Sequence, residues 1–152
     1  MNPDDLLDIA EHLARMDPGR PKQVSLRRAI STAYYAVFHA LAYLSADELV
    51  GWKSPRNAFT PVYRALDHAA ARRAFERDRD GQIHGREVAE IGRIFALLQQ
   101  ERNAADYHPQ YSSTREKTLE LIRLARKAVQ STLGLSGDTR RLLAVHLIVR
   151  QR

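Results

Sequence analysis

The stretch QVSLRRAISTAYYAVFHALAYLSA, residues 23 to 46, sets Leu26, Ile30, Ala33, Val37, Leu41 and Leu44 at alternating steps of three and four. That spacing returns to one side of a helix of about 3.6 residues per turn, and no glycine or proline interrupts it. Ser25 is placed to cap its start. Tyr34, Phe38 and Tyr43 carry apolar surface around most of the circumference, as expected of a helix that packs within its own bundle and also against another subunit. Arg28, Thr32, Tyr35 and His39 fall at i, i+4, i+7 and i+11. They form a polar row on a greasy helix, and such a row needs partners.

The same three-to-four spacing recurs on both sides of this segment, with almost no strand alternation. An all-α protein is therefore predicted, an up-and-down bundle of four to five main helices with a short C-terminal element. Asn2, Pro3, Asp4 and Asp5 are the cap, first-position proline and first-turn acids of a helix over 3–16, which DPGRPK then breaks. Thr60-Pro61 signals a helix over 61–77. Val88, Ile91, Phe95 and Leu98 give an inward face to a helix over 85–107, which Pro109 stops by disfavouring helical geometry at His108. Ser113 and Glu116 read as a capping box for a helix over 114–133, with Leu121, Ile122, Ala125, Ala128 and Val129 buried. In the tail TRRLLAVHLIVRQR, Val145 to Val149 fits a helix or a strand. No linker or repeat divides the 152 residues, so one domain is expected, with its core at 3–133 and an extension at 138–152.

There is no cysteine, which excludes a disulfide scaffold, a thiolate zinc site and a cysteine nucleophile. MNPDDLLDIAEHL opens with acids where a signal peptide carries basic residues, and no run approaches about 18 apolar residues. The expectation is a soluble, cytoplasmic protein with no membrane association. Lys and Arg number 24 against 18 Asp and Glu, a formal charge of +6 and a pI near 10.0. An anionic partner is permitted, but the bases are interspersed with acids, as in RRAFERDRDGQIHGRE, so charge alone does not establish nucleic-acid binding.

Continuing the 88, 91, 95, 98 stripe by one step reaches Arg102, which places a guanidinium where the helix turns toward packed surface. An unpaired charge there is expensive to desolvate. Asp106, four residues on, is the plain structural partner; a phosphate in a cleft or at a subunit interface is the functional one, and the two roles are compatible. His108 stands where the helix stops, a position that also suits a histidine as a cap.

Taken together, LRRAISTAYYAVFHAL and, some sixty residues later, RNAADYH resemble the HEPN domain family over about residues 3 to 133. The resemblance implies a four- or five-helix bundle that dimerises and carries an R-x4-6-H motif, here Arg102, Asn103 and His108. It also implies a metal-independent endoribonuclease, often the toxin of a toxin–antitoxin pair or part of antiphage defence. The alternative it offers is a non-catalytic nucleotide- or protein-binding module partnering a small nucleotidyltransferase.

The chemistry of the residue types is compatible with RNA cleavage. A 2′-hydroxyl can attack the adjacent phosphorus without metal if one group moves protons and a cation stabilises the phosphoryl oxygens. Histidine serves the first need and arginine, as a bidentate clamp, the second. Asn103 is available to orient the phosphate or the histidine. Arg28, Thr32, Tyr35, Asp106 and Tyr107 are the candidate substrate-binding or supporting residues. Two copies facing across a twofold axis would complete the site and form a groove for an RNA backbone, so a homodimer is expected, with an antitoxin or nucleotidyltransferase as further partner. No cofactor or metal is expected, because neither H-E-x-x-H nor clustered carboxylates appear. In the structural alternative Asp106 pairs with Arg102, and Tyr107 packs against the helix at 23–46.

Overall fold

A computed structural model describes residues 1–150, and all regular structure among them is helical. The helices are α1 (Pro3–Arg15), α2 (Gln23–Leu49), α3 (Arg56–Arg64), α4 (His68–Arg77), α5 (Arg86–Tyr107), α6 (Arg115–Gly134) and α7 (Gly137–Ile148). The fold is thus all-α, and the tail at 145–149 is helix up to Ile148, with extended geometry only at its cap, Val149. Gln151 and Arg152, the end of the expected 138–152 extension, lie outside the described residues. No helix among those described is long and apolar enough to cross a membrane.

Two expected boundaries are corrected. The helix read over 61–77 is two helices. Pro61 lies inside α3, and the chain turns at Ala65 before Asp67 accepts the Ala70 N–H at 2.8 Å and starts α4. An aspartate in extended geometry captures a helix's unsatisfied N–H more effectively than a mid-helix proline can sustain its own hydrogen-bond ladder. The capping box at Ser113 is also replaced. Thr114 caps α6 by accepting the Lys117 N–H at 3.1 Å. Ser113 is buried and its hydroxyl faces that of Thr118 at 3.0 Å.

The contacts divide the chain into two units, one built from Met1–His39 and Ile94–Val129, the other from Ala40–Arg93 and the chain from Gln130 on. In the first, Leu7, Ala10 and Ala14 of α1 join Leu26, Ile30, Ala33, Tyr34 and Val37 of α2, Phe95 and Leu98 of α5, and Leu121, Ile122, Ala125, Ala128 and Val129 of α6 in the core. The stripes predicted for α2, α5 and α6 are buried as read. Arg115 closes the end of α1 by donating to the carbonyls of Ala14, Asp17 and Gly19 at 2.9, 2.6 and 3.2 Å. Cations suit that negative helix end.

In the second unit, Phe59, Leu66, Ala71, Phe75, Val88, Ile91, Leu143 and Leu147 are buried. Arg140 ties α7 to the end of α2 through Asp47 at 2.7 Å and Glu48 at 3.0 Å. Gly92 of α5 lets the helix approach Phe75 closely, since a Cβ there would sit 2.7 to 2.8 Å from the phenyl side chain. Gly92→Ala is therefore expected to destabilise the protein by about 1–3 kcal/mol although alanine is the better helix former, because overpacking outweighs propensity. Urea unfolding measures this; a stabilised variant would contradict the close approach.

The turn 78–85 is organised by the buried Asp78 carboxylate, which accepts the N–H groups of Ile83 and His84 at 2.7 and 2.9 Å. His84 meets His146 of α7, with 3.0 Å between Nε2 and Nδ1. Burial above all, opposed by the Asp78 charge and reinforced by His146, holds the His84 pKa below 6.5. A base whose folded pKa is depressed gives up protons on folding, so its contribution is fully present above about 6.5 and is lost as pH falls toward the folded pKa. Urea midpoints between pH 7.5 and 5 are expected to fall more steeply for wild type than for His84→Gln; parallel profiles would refute the linkage.

Candidate functional site

Arg102 projects from the last turns of α5 with its side chain only 13 % exposed. Its Nη2 donates to the Tyr35 hydroxyl at 2.6 Å and its Nη1 to Asn103 Oδ1 at 3.1 Å. Nε lies 3.0 Å from Asp106 Oδ2, an ion pair whose N–H is not aligned for a hydrogen bond. The guanidinium carbon stands 5.4, 5.1 and 5.8 Å from the ring centroids of Tyr34, Tyr35 and Tyr107. Carboxylate and aromatic faces together offset the desolvation of the cation.

These contacts fix the fork without exhausting it. A guanidinium has five N–H groups, of which Nη1 and Nη2 carry two each. With one of each pair directed to Asn103 and Tyr35, one N–H on each terminal nitrogen remains uncommitted. That is the number a bidentate contact to phosphate oxygens needs.

The α2 face meeting this arginine is displaced from the one predicted. Ser31 donates to Asp106 Oδ2 at 3.2 Å, and Tyr35 receives Arg102. Arg27, on the same i, i+4, i+8 row, donates to the carbonyls of Ala105 at 3.2 Å, Pro109 at 3.0 Å and Tyr111, and lies 5.7 Å from the Tyr111 ring. Of the expected row Arg28, Thr32, Tyr35 and His39, only Tyr35 reaches Arg102. Arg28 is exposed, Thr32 turns its hydroxyl back to the Arg28 carbonyl at 2.7 Å, and the His39 ring sits 6.4 Å from that of Tyr35. The true row starts one residue earlier, which is about 100° around the helix.

Arg27, Ser31 and Tyr111 are thus the residues the sequence reading missed. Arg27 caps α5 and fastens the following turn. Tyr111 donates to Glu101 at 2.6 Å, Glu101 pairs with Lys117 at 3.1 Å, and Gln23 exchanges two hydrogen bonds with the backbone of Ser113 at 2.9 and 3.0 Å. Burial, then the Glu101 carboxylate, pushes the Tyr111 phenol well above its usual range. The available signal was the helix end itself: a segment stopped by Pro109 leaves carbonyls that need a donor, and LRR supplies one.

His108 is the first residue beyond α5. Its N–H donates to the Ala104 carbonyl at 2.9 Å and its carbonyl accepts from Tyr111 N–H at 3.1 Å. Its imidazole is exposed, as is the Asn103 side chain. Tyr107 is 73 % exposed, which corrects the reading that packs it against α2. Five residues from Arg102 it lies about 140° around the helix, and only its ring reaches back toward the guanidinium. The fold therefore gathers Arg102, Asn103, Asp106, Tyr35 and Tyr107, leaves Arg28 and Thr32 outside that cluster, and presents His108 to solvent at the same helix end. Among the described residues, no three His, Asp or Glu side chains gather where a metal ion could sit. Comparison with family models, curated proteins and solved structures found no match.

Proposed function

We propose that the chain is a metal-independent endoribonuclease acting as a homodimer, in the manner of the HEPN toxins that its RNAADYH motif resembles. The observation carrying this reading is the state of Arg102: locked by Tyr35, Asn103 and Asp106, yet with one N–H left on each terminal nitrogen. A preorganised cation of this kind stabilises charge developing on phosphoryl oxygens without reorganising during the reaction. His108, exposed at the end of the same helix, is the proton carrier. The 2′-oxygen, losing its proton, attacks phosphorus. The 5′-oxygen leaves and takes up a proton, giving a 2′,3′-cyclic phosphate and a 5′-hydroxyl. Removal and delivery of protons call for two imidazoles, which a twofold pair of His108 residues supplies.

A second reading has its own observation. The ion pair with Asp106, itself held by Ser31, is what a structural arginine needs, and it suits a non-catalytic module that binds a nucleotide or a small nucleotidyltransferase partner. Incubation of purified protein with RNA in excess chelator, followed by analysis of the product ends, decides between them. Cleavage leaving cyclic phosphates supports the nuclease; intact RNA, or cleavage by the Arg102→Ala and His108→Ala variants equal to that of wild type, refutes it.

A further inference from the structure

Arg73 and Arg77, four residues apart on α4, line a cleft of about 460 Å³ together with Asp67 and the end of α7 from His146 to Arg150. Helices α4 and α7 belong to the same unit and are in contact. Three arginines therefore face one carboxylate. Asp67 is already engaged as the cap of α4, and its hydrogen bond from Ala70 keeps it ionised. Four other arginines of this unit are held in ion pairs, Arg72 by Glu76 at 2.9 Å, Arg93 by Glu90 at 2.7 Å, Arg140 by Asp47 at 2.7 Å and Arg141 by Glu48 at 3.1 Å. Among the described residues Arg73, Arg77 and Arg150 form no such ion pair; Asp67 acts on Arg73 only at longer range, and three cations against one carboxylate leave the cleft with net positive charge.

The histidine at its wall is oriented from behind. His84 Nδ1 is buried without a partner. A buried N–H left without an acceptor is rarer and costlier than an unfilled lone pair, so Nδ1 is the bare nitrogen and the His84 proton sits on Nε2. It is donated to His146 Nδ1 across 3.0 Å. With Nδ1 accepting, a neutral His146 has its proton on Nε2, and the residue lines the cleft.

We propose that this cleft is a phosphate-binding site, in which Arg73, Arg77 and Arg150 hold the oxygens of a phosphate chain and His146 donates from Nε2. Its volume falls in the range of small-ligand sites, and planar guanidinium forks match phosphate oxygens. The phosphates belong either to a free polyphosphate chain or to a nucleic-acid backbone. Calorimetric titration of the full chain with inorganic tripolyphosphate, and separately with single-stranded DNA, distinguishes the two. DNA lacks the 2′-hydroxyl and survives the cleavage proposed above, and the Arg73 and Arg77 variants separate binding in this cleft from binding at Arg102. Saturable binding is expected, weakened roughly tenfold by Arg77→Ala and by Arg73→Ala, since each removes charge-assisted hydrogen bonds. Arg72→Ala, the same charge change on the same helix but outside the cleft, should leave affinity within about twofold of wild type. Saturation by tripolyphosphate identifies a free-phosphate site, and saturation by DNA alone identifies a backbone site. Binding of neither, or equal weakening by Arg72→Ala and Arg77→Ala, overturns the proposal.

Discussion

His108→Ala is expected to lower RNA cleavage by about 10²–10⁴-fold, the usual worth of a positioned proton carrier, while shifting stability by no more than about 0.5 kcal/mol. The two effects separate because of how the residue is built in. Its backbone closes α5 by donating to Ala104 and anchors the turn by accepting from Tyr111, and neither contact involves the side chain. The imidazole itself is exposed. Alanine retains the backbone bonds, and Arg27 continues to hold the carbonyls of Ala105, Pro109 and Tyr111. Rates on a fluorescent RNA in excess chelator, beside urea midpoints for both proteins, test this. A variant as active as wild type removes His108 from the chemistry; one that loses activity and unfolds together makes it a structural cap.

The proposed homodimer gives that experiment a second arm. If each site uses imidazoles from both copies, re-associating wild type with increasing His108→Ala protein lowers the rate below the wild-type fraction, because mixed dimers are inactive, whereas independent sites give a rate proportional to that fraction. Sedimentation of the wild type at the assay concentration shows whether the twofold pair exists.

The helical stripes were legible because burial is periodic. Leu26, Ile30, Ala33, Val37, Leu41 and Leu44 are all fully buried, as their spacing demands. The start of α1 was equally plain, with the Asn2 side chain accepting from Asp4 N–H at 2.9 Å. Arg102 stood out by breaking the stripe of α5, and its ion pair with Asp106 followed from a four-residue step on one helix. What escaped was set by contacts between distant segments. On a helix apolar around most of its circumference, the rows 27-31-35 and 28-32-35-39 are equally regular. Only the position of the α5 end, with its unsatisfied carbonyls and Asp106, selects the first. The break before α4 was missed for a local reason: Thr60-Pro61 resembles a start signal, but the residue that in fact starts a helix is Asp67.

Arg102 is expected to carry both stability and catalysis, and the two can be parted. Arg102→Met removes the cation from three aromatic rings and strands the Asp106 carboxylate, whose side chain is 21 % exposed, with Ser31 as its remaining donor. The cost is about 1–3 kcal/mol, below that of a fully buried pair because solvent still screens the site. Adding Asp106→Leu removes the stranded charge, and the double variant should recover much of the lost stability, since a well-packed apolar pair often replaces a buried ion pair at little cost. Activity should not follow. Loss of the oxyanion-stabilising fork costs about 10²–10³-fold, and an apolar replacement supplies no N–H to a phosphate. Arg102→Lys retains charge but not the fork, so it should restore part of the stability and little of the rate. The outcome that defeats the catalytic assignment is a stable double variant that cleaves RNA like wild type, because the only function then left to the Arg102–Asp106 pair is to hold the end of α5 against α2.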